Sequence, residues 1–172
     1  IYDIAVKNGT TGVQLSQESE MKIINSFFSN LSYGGTISGS SNFNLFRNNT
    51  FANNSEYGLF VFFGSSNLID GNLFDSNKYG VFISSTGPPE KNLFYNNIFL
   101  RNKNVSISDS SDAGSLNYLI YNNSFGEIKW TNDIFLDNLT VQGDLTFPGN
   151  VTIWNNSAFV NTNALIVGGS LI

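Results

Sequence analysis

Asparagine and apolar residues recur along this chain in a pattern that suits neither a helix nor a hairpin. In NLIDGNLFDSNKYGVFIS, residues 67–84, asparagine stands at 67, 72 and 77, with Ile69, Phe74, Val81 and Ile83 between and after. The motif Asn-x-Phe-x-x-Asn reads NSFFSN from 25, NTFANN from 49, NLFDSN from 72 and NIFLRN from 97, with a partial copy, NSFGEI, from 123. A second column follows each Phe, at Gly12, Gly34, Gly58, Gly80 and Asn104. A third stands three residues before each Asn, at Phe46, Ile69, Phe94 and Ile120, with Lys22 in its place in the first copy. Short period-two segments recur about every 24 residues, and no stretch of helical periodicity is long enough for a crossover helix. This predicts a parallel β-solenoid, one repeat per coil, with coils stacked at about 4.8 Å.

Stacking explains the asparagines. A buried amide is costly alone, but in register its NH₂ can donate to the amide oxygen of the neighbouring coil and build a ladder. Asparagine also tolerates the left-handed backbone of a corner between strands. Asn49, Asn72, Asn97 and Asn123 are the expected ladder, with Phe51, Phe74, Phe99 and Phe125 stacked beside it in the core. Asn77 lies outside it, so Asn72→Leu is expected to cost more stability than Asn77→Leu.

The composite motif I-x-x-N-x-F-x-x-N-x-x-x-G-[IV]-x-[IL], over residues 12 to about 125, resembles the right-handed parallel β-helix repeats of the NosD-like group. That broad group includes carbohydrate-binding and sugar-hydrolase domains and many archaeal and bacterial surface proteins. The resemblance implies an all-β, right-handed parallel β-helix. The copper delivery implied by the NosD name does not transfer, because the chain has no His, no Cys and a single Met.

From residue 139 the register shortens to six. Leu139, Leu145 and Val151 share one position, and Val141, Phe147, Ile153, Phe159 and Leu165 share another two residues on. This stretch resembles hexapeptide solenoids and bactofilin-type β-helices. The expected organisation is a β-helix with coils of about 24 residues over 1–130, continued over 131–172 by smaller triangular coils. Roughly seven coils would make a rod about 35 Å long.

Charged residues are only 12% of the chain, aromatics 15%, and the net charge is -5. There is no basic run, so the electrostatic footprint of nucleic-acid binding is missing. No apolar run reaches the roughly 18 residues of a membrane span. Without His or Cys, imidazole acid–base catalysis, thiolate nucleophiles, disulfides and most zinc or copper sites are excluded. No cofactor is called for. The chain starts IYDIAV and ends GGSLI, both strand-like, which fits a processed protein or a segment of a longer one.

Sequons Asn-x-Ser/Thr begin at Asn8, Asn30, Asn48, Asn53, Asn104, Asn122, Asn138, Asn150 and Asn155. They are candidate N-glycosylation sites on an archaeal-like or eukaryotic surface protein, although Asn, Ser and Thr also suit solenoid corners. Asn48 and Asn122 adjoin ladder positions and are the weaker candidates. Tyr33, Tyr57 and Tyr79 fall in one outward column, and Phe60 and Phe82 in another, with Phe62 nearby. These rings suit either a self-stacking surface ladder or a surface for carbohydrate or a protein partner. Glu56 falls over Lys78 with Lys103 in the next coil, and Arg47 falls over Asp70, as cross-strand ion pairs. Asp70 and Asp75 are in different outward columns, which argues against the clustered acids of β-helix lyases and hydrolases. Glu90, Asp109 and Asp112 sit in two loops of adjacent coils and are weak calcium candidates.

Rigidity devices recur in every coil while catalytic residue types are scattered. The expected function is therefore a non-catalytic extracellular protein: a glycosylated cell-surface, sheath or filament subunit, with an adhesive role in view. Its partners would be identical subunits, end to end or lateral, and N-linked glycans. The alternative is a polysaccharide-binding or polysaccharide-processing β-helix module.

Overall fold

The computed structural model describes residues 1–84, 92–109, 118–121, 124–125, 128–129, 134–137, 140–142, 145–147, 151–153, 159–161 and 165–167, with side chains at 1–84, 92–104 and 106–108. Every described strand pairs in parallel with strands of the adjoining coils, and the described residues contain no helix. Two long strands, β1 (Ala5–Ser16) and β3 (Phe27–Ser38), pair along their whole length, with the short β2 (Lys22–Ile24) between them in sequence. Later coils divide into three strands each. The third coil has β4 (Leu45–Arg47), β5 (Thr50–Ala52) and β6 (Tyr57–Phe62), and the fourth β7 (Leu68–Asp70), β8 (Leu73–Asp75) and β9 (Tyr79–Ser84). The fifth has β10 (Asn92–Tyr95), β11 (Ile98–Leu100) and β12 (Val105–Asp109). Strands β2, β4, β7 and β10 stack on one face, β5, β8 and β11 on a second, and β6, β9 and β12 on a third. The second and third faces meet in β3, whose Phe27–Ser29 end pairs with β5 and whose Tyr33–Ile37 end pairs with β6. Beyond β12 the backbone pairing continues in short strands, such as Thr140–Gln142 with Phe159–Asn161 and Leu145–Phe147 with Leu165–Val167. The described side chains run from the first coil into the fifth, about four full turns. The expectation of seven coils reaches beyond them.

The core is one continuous column of rings flanked by a column that alternates isoleucine with phenylalanine and by an aliphatic one. Phe28, Phe51, Phe74 and Phe99 are fully buried, with successive centroids 5.2, 5.1 and 4.9 Å apart and ring planes within 15° of parallel. Ile23, Phe46, Ile69 and Phe94 form the column on the first face, and Leu59, Val81 and Ile107 that on the third. The strand spacing sets the distance between identical rings, so parallel stacking satisfies sheet and core together.

Three asparagine ladders run beside this core, where one was expected. In the expected one, Asn49 Nδ2 donates to Asn72 Oδ1 and Asn72 Nδ2 to Asn97 Oδ1, each at 3.0 Å. Asn123 lies outside the described residues. A second ladder joins Asn54, Asn77 and Asn102 at 2.9 and 3.2 Å. A third joins Asn44, Asn67 and Asn92 at 3.0 Å per step. Asn77 is thus a ladder residue, fully buried like Asn97. Asn67, Asn72 and Asn77, five residues apart, are one coil's rungs in the three ladders. Each ladder oxygen also accepts the backbone N–H of the preceding rung, and each NH₂ has a backbone carbonyl as its second acceptor, as Asn72 has Phe46 O at 2.8 Å. The amides are therefore satisfied without water, the condition on which burying them depends.

Two neighbouring residues divide the labour at these corners, and in the third coil both are asparagines. The exposed one takes the left-handed backbone and the next turns inward. Asn48 has φ 54° and Asn53 φ 54°, while Asn49 and Asn54 are the buried rungs. Asn25, Gly71 and Asn96 share the first corner column with Asn48, and Asn30, Ser76 and Arg101 the second with Asn53.

The first copy of the motif, and the column position that follows the fourth, sit in a different register from the one expected. Phe28, not Phe27, pairs with Phe51, so Ser26 is the first rung, its backbone N–H donating to Asn49 Oδ1 at 2.9 Å. Ile23, not Lys22, then occupies the column of Phe46. A slip of one residue would have exposed Phe28 and buried Phe27, and burial of the inner face decides between them. At the other end Ile107 pairs with Val81, which puts Ser106, not Asn104, in the column of Gly80.

Candidate functional site

The outer side of the third face carries the chain's largest described cluster of surface rings. From Leu59 and from Val81 side chains alternate, Leu59, Val61, Val81 and Ile83 inward and Phe60 and Phe82 outward, but the alternation breaks before them, where Gly58 and Gly80 are buried as well and Tyr57 and Tyr79 stay partly exposed. The registers Tyr33↔Tyr57↔Tyr79 and Thr36↔Phe60↔Phe82 form two outward columns over three coils. Tyr33–Tyr57 and Tyr57–Tyr79 centroids lie 5.5 and 5.3 Å apart, and Phe60–Phe82 5.8 Å. Phe62 joins Phe60 at 6.0 Å and Phe63 at 4.2 Å. All six sequence-predicted aromatic residues therefore meet in one block, and Phe63, which sequence reasoning did not single out, extends it.

The block differs from the core stack in its angles. Its planes are tilted 40° at Tyr33–Tyr57, 51° at Phe60–Phe82 and 76° at Tyr79–Phe82; the Phe28–Phe51–Phe74–Phe99 column stays within 15°, although the buried Phe46–Phe51 pair is tilted at 42°. Other pairs of the block stack, Tyr57–Phe60 at 23° and Phe60–Phe62 at 21°. The block also ends abruptly: the same columns hold Thr11 and Gln14 in the first coil and Val105 and Ser108 in the fifth. Burial, with Glu56 alongside, pushes the Tyr57 phenol above its ordinary value, so it remains a neutral hydroxyl. Lys78 closes the edge, its ammonium 5.8 Å from the Tyr79 ring centroid and 2.7 Å from Glu56 Oε2. That hydrogen bond raises the lysine pKa.

The acids elsewhere are paired along the rod. Arg47 Nε donates to Asp70 Oδ2 at 2.8 Å, and Lys78 holds Glu56, both as expected. Arg101 grips Asp75 in a two-point contact that the sequence did not reveal, with Nε donating to Asp75 Oδ1 at 2.8 Å. That hydrogen bond holds the Asp75 carboxyl below its usual range. A carboxylate so held is a poor proton donor or acceptor near neutral pH. Among the described residues, no group of three or more acids is placed to hold a metal ion. Of the calcium candidates, Asp109 ends β12 and pairs through its backbone with Ile83, while Glu90 and Asp112 lie outside the described residues.

Asn8, Asn30, Asn48, Asn53 and Asn104 are all exposed. Adjoining the ladder does not hide Asn48, because the αL corner turns it outward while Asn49 turns in. Asn8, Asn30 and Asn53 share one corner column, each with positive φ. Asn122, Asn138, Asn150 and Asn155 lie outside the described residues.

No curated protein and no solved structure matches the chain. A family model, described as the right handed beta helix region, matches residues 1–125. It covers well over half of the chain, and the parallel coils, the ring stack and the ladders fall within it. The chain belongs to the right-handed β-helix family.

Proposed function

We propose that this β-helix is a non-catalytic structural rod at the cell exterior, a glycosylated surface, sheath or filament subunit that stacks with copies of itself. The observation that carries this reading is the redundancy of the rigidity devices. Three fully bonded asparagine ladders and a parallel phenylalanine stack repeat through the described coils. Two further features support it. Asp70, Asp75 and Glu56 are each tied to a cation one coil away. Every sequon within the described side chains presents its asparagine to solvent. Stacked coils also leave unpaired strand edges at their ends, which a second copy would satisfy.

The test is surface fractionation of the native source, followed by glycopeptide mass spectrometry and electron microscopy of the purified protein. The reading expects surface recovery, glycan mass on peptides bearing Asn30, Asn53 or Asn104, and rods or filaments. Intracellular recovery of unmodified single particles would overturn it. A second reading, a polysaccharide-binding face on the same rod, has the aromatic block in its favour.

A further inference from the structure

We propose that coil spacing limits N-glycans along the corner between the second and third faces, so that neighbouring coils never both carry one. This rests on the glycosylated-surface reading above and names the sites and the rule that governs them. Pairing of Lys7 with Ser29 and of Gly9 with Leu31 sets Asn8 beside Asn30, and pairing of Ser29 with Ala52 sets Asn30 beside Asn53. Three consecutive coils thus place a sequon asparagine at one position. All three are exposed, and with φ of 60°, 54° and 54° they share one backbone conformation, so their side chains leave the rod side by side.

Each can take part in the transfer. Asparagine Nδ2 attacks the anomeric carbon of a sugar carried on a phosphate donor. The N–C bond forms as the C–O bond to phosphate breaks, and the proton lost from Nδ2 goes to the departing phosphate. The hydroxyl two residues on is part of the acceptor signal. It is exposed at Thr10 and Ser55 and partly exposed at Ser32.

The limit comes from the sheet. Strands of neighbouring coils lie ~4.8 Å apart. The core shows what that distance holds: Phe28, Phe51, Phe74 and Phe99, at centroid distances of 5.2, 5.1 and 4.9 Å, fill it with flat rings lying nearly parallel. A pyranose is puckered and edged with hydroxyls, and a glycan is bulkier still. Glycans on adjacent coils therefore compete for one space, whereas Asn8 and Asn53, two coils and ~9.6 Å apart, can each carry one. The rule holds whichever comes first, folding or transfer. On the folded rod one glycan shields the neighbouring asparagine from the donor, and two attached earlier would keep their coils from closing. Folded molecules carry sugar on Asn30 alone, or on Asn8, Asn53 or both. Asn48 and Asn53 lie on different corners of one coil, up to ~16 Å of chain apart, and escape the rule.

The test is glycopeptide mass spectrometry of the folded protein, made in its native source and cleaved at arginine. Arg47 and Arg101 are the chain's two arginines, so peptide 1–47 carries the sequons of Asn8 and Asn30, and peptide 48–101 those of Asn48 and Asn53. Doubly glycosylated 1–47 should fall at least tenfold below the product of its two single-site occupancies, while 48–101 follows the product. Where Asn30 is bare, the double variant Thr10→Ala/Ser55→Ala should bring sugar to it. Where Asn30 is filled and its neighbours bare, Ser32→Ala should bring sugar to Asn8 or Asn53. These variants remove sequons and leave the corner asparagines in place. Double glycosylation of 1–47 at the product level overturns the inference, as does a neighbour that stays bare in its variant. Sugar on Asn48 or Asn104 but on none of Asn8, Asn30 and Asn53 overturns the corner as a site and leaves the glycosylated reading standing. No glycan on any peptide overturns both.

Discussion

Replacing Asn72 by leucine removes a rung from the middle of a buried ladder, and its cost can be worked from the bonds lost. Asn72 Oδ1 accepts from Asn49 backbone N–H at 2.9 Å and Asn49 Nδ2 at 3.0 Å, while Asn72 Nδ2 donates to Asn97 Oδ1 at 3.0 Å and Phe46 O at 2.8 Å. Leucine has similar volume and no polar atoms, so two donors of Asn49 lose their acceptor in a site that is 1% exposed at both residues. A buried group left unsatisfied costs about 1–3 kcal/mol, which puts the loss near ~4 kcal/mol. For a chain of this length that is a fall in Tm of roughly 10 °C. Asn77 makes the same set of bonds, to Asn54 N, Asn54 Nδ2, Asn102 Oδ1 and Phe51 O. Asn77→Leu should therefore cost as much as Asn72→Leu, against the sequence-based expectation of a smaller effect. Guanidinium unfolding followed by circular dichroism measures both. Variants within about 1 kcal/mol of the parent would refute the reasoning, since fully satisfied ladders could not then be holding the coils.

Other substitutions probe the remaining devices. Phe74→Ala, which empties a fully buried place between Phe51 and Phe99, should destabilise by about 3–5 kcal/mol in the same unfolding assay. Gly58→Ala should lower the midpoint of denaturation as well, because a Cβ there would stand 2.5 Å from the Gly80 carbonyl oxygen, a backbone atom that cannot step aside. Arg101→Ala should let the Asp75 carboxyl rise toward its ordinary 3.8, read by carbon-detected NMR titration. The stabilisation from a lowered carboxylate pKa is complete above that ordinary value and fades as pH falls through the folded-state value. The stability gap between parent and Arg101→Ala should accordingly be present at pH 7 and close in acid; a gap that persisted in acid would assign it to packing.

The parallel solenoid was legible because stacking repeats the same residue types at the same intervals. Phe51, Phe74 and Phe99 could be aligned by eye, as could Asn49, Asn72 and Asn97. The other two ladders were hidden by what the motif left undecided. The second Asn of Asn-x-Phe-x-x-Asn recurs as faithfully as the first, at Asn54, Asn77 and Asn102, and that recurrence was the signal available. The first coil misled because NSFFSN offers two adjacent phenylalanines, and only burial distinguishes Phe27, 36% exposed, from Phe28, at 0%. The aromatic columns were readable from the spacing of β6 and β9, and the Arg47–Asp70 and Glu56–Lys78 pairs from the coil repeat of 22 to 23 residues. The tilt of the rings depends on side-chain torsions that no residue pattern encodes. The Arg101–Asp75 pair was missed because the two stand 26 residues apart, not the 23 of Arg47 and Asp70.

A density map of the protein from its native source, resolved to side chains and sugars, tests the surface-rod account most directly. The account predicts branched density on exposed sequon asparagines such as Asn30, Asn53 or Asn104, and coil ends abutting the next subunit. Bare asparagines and free, capped ends would contradict it.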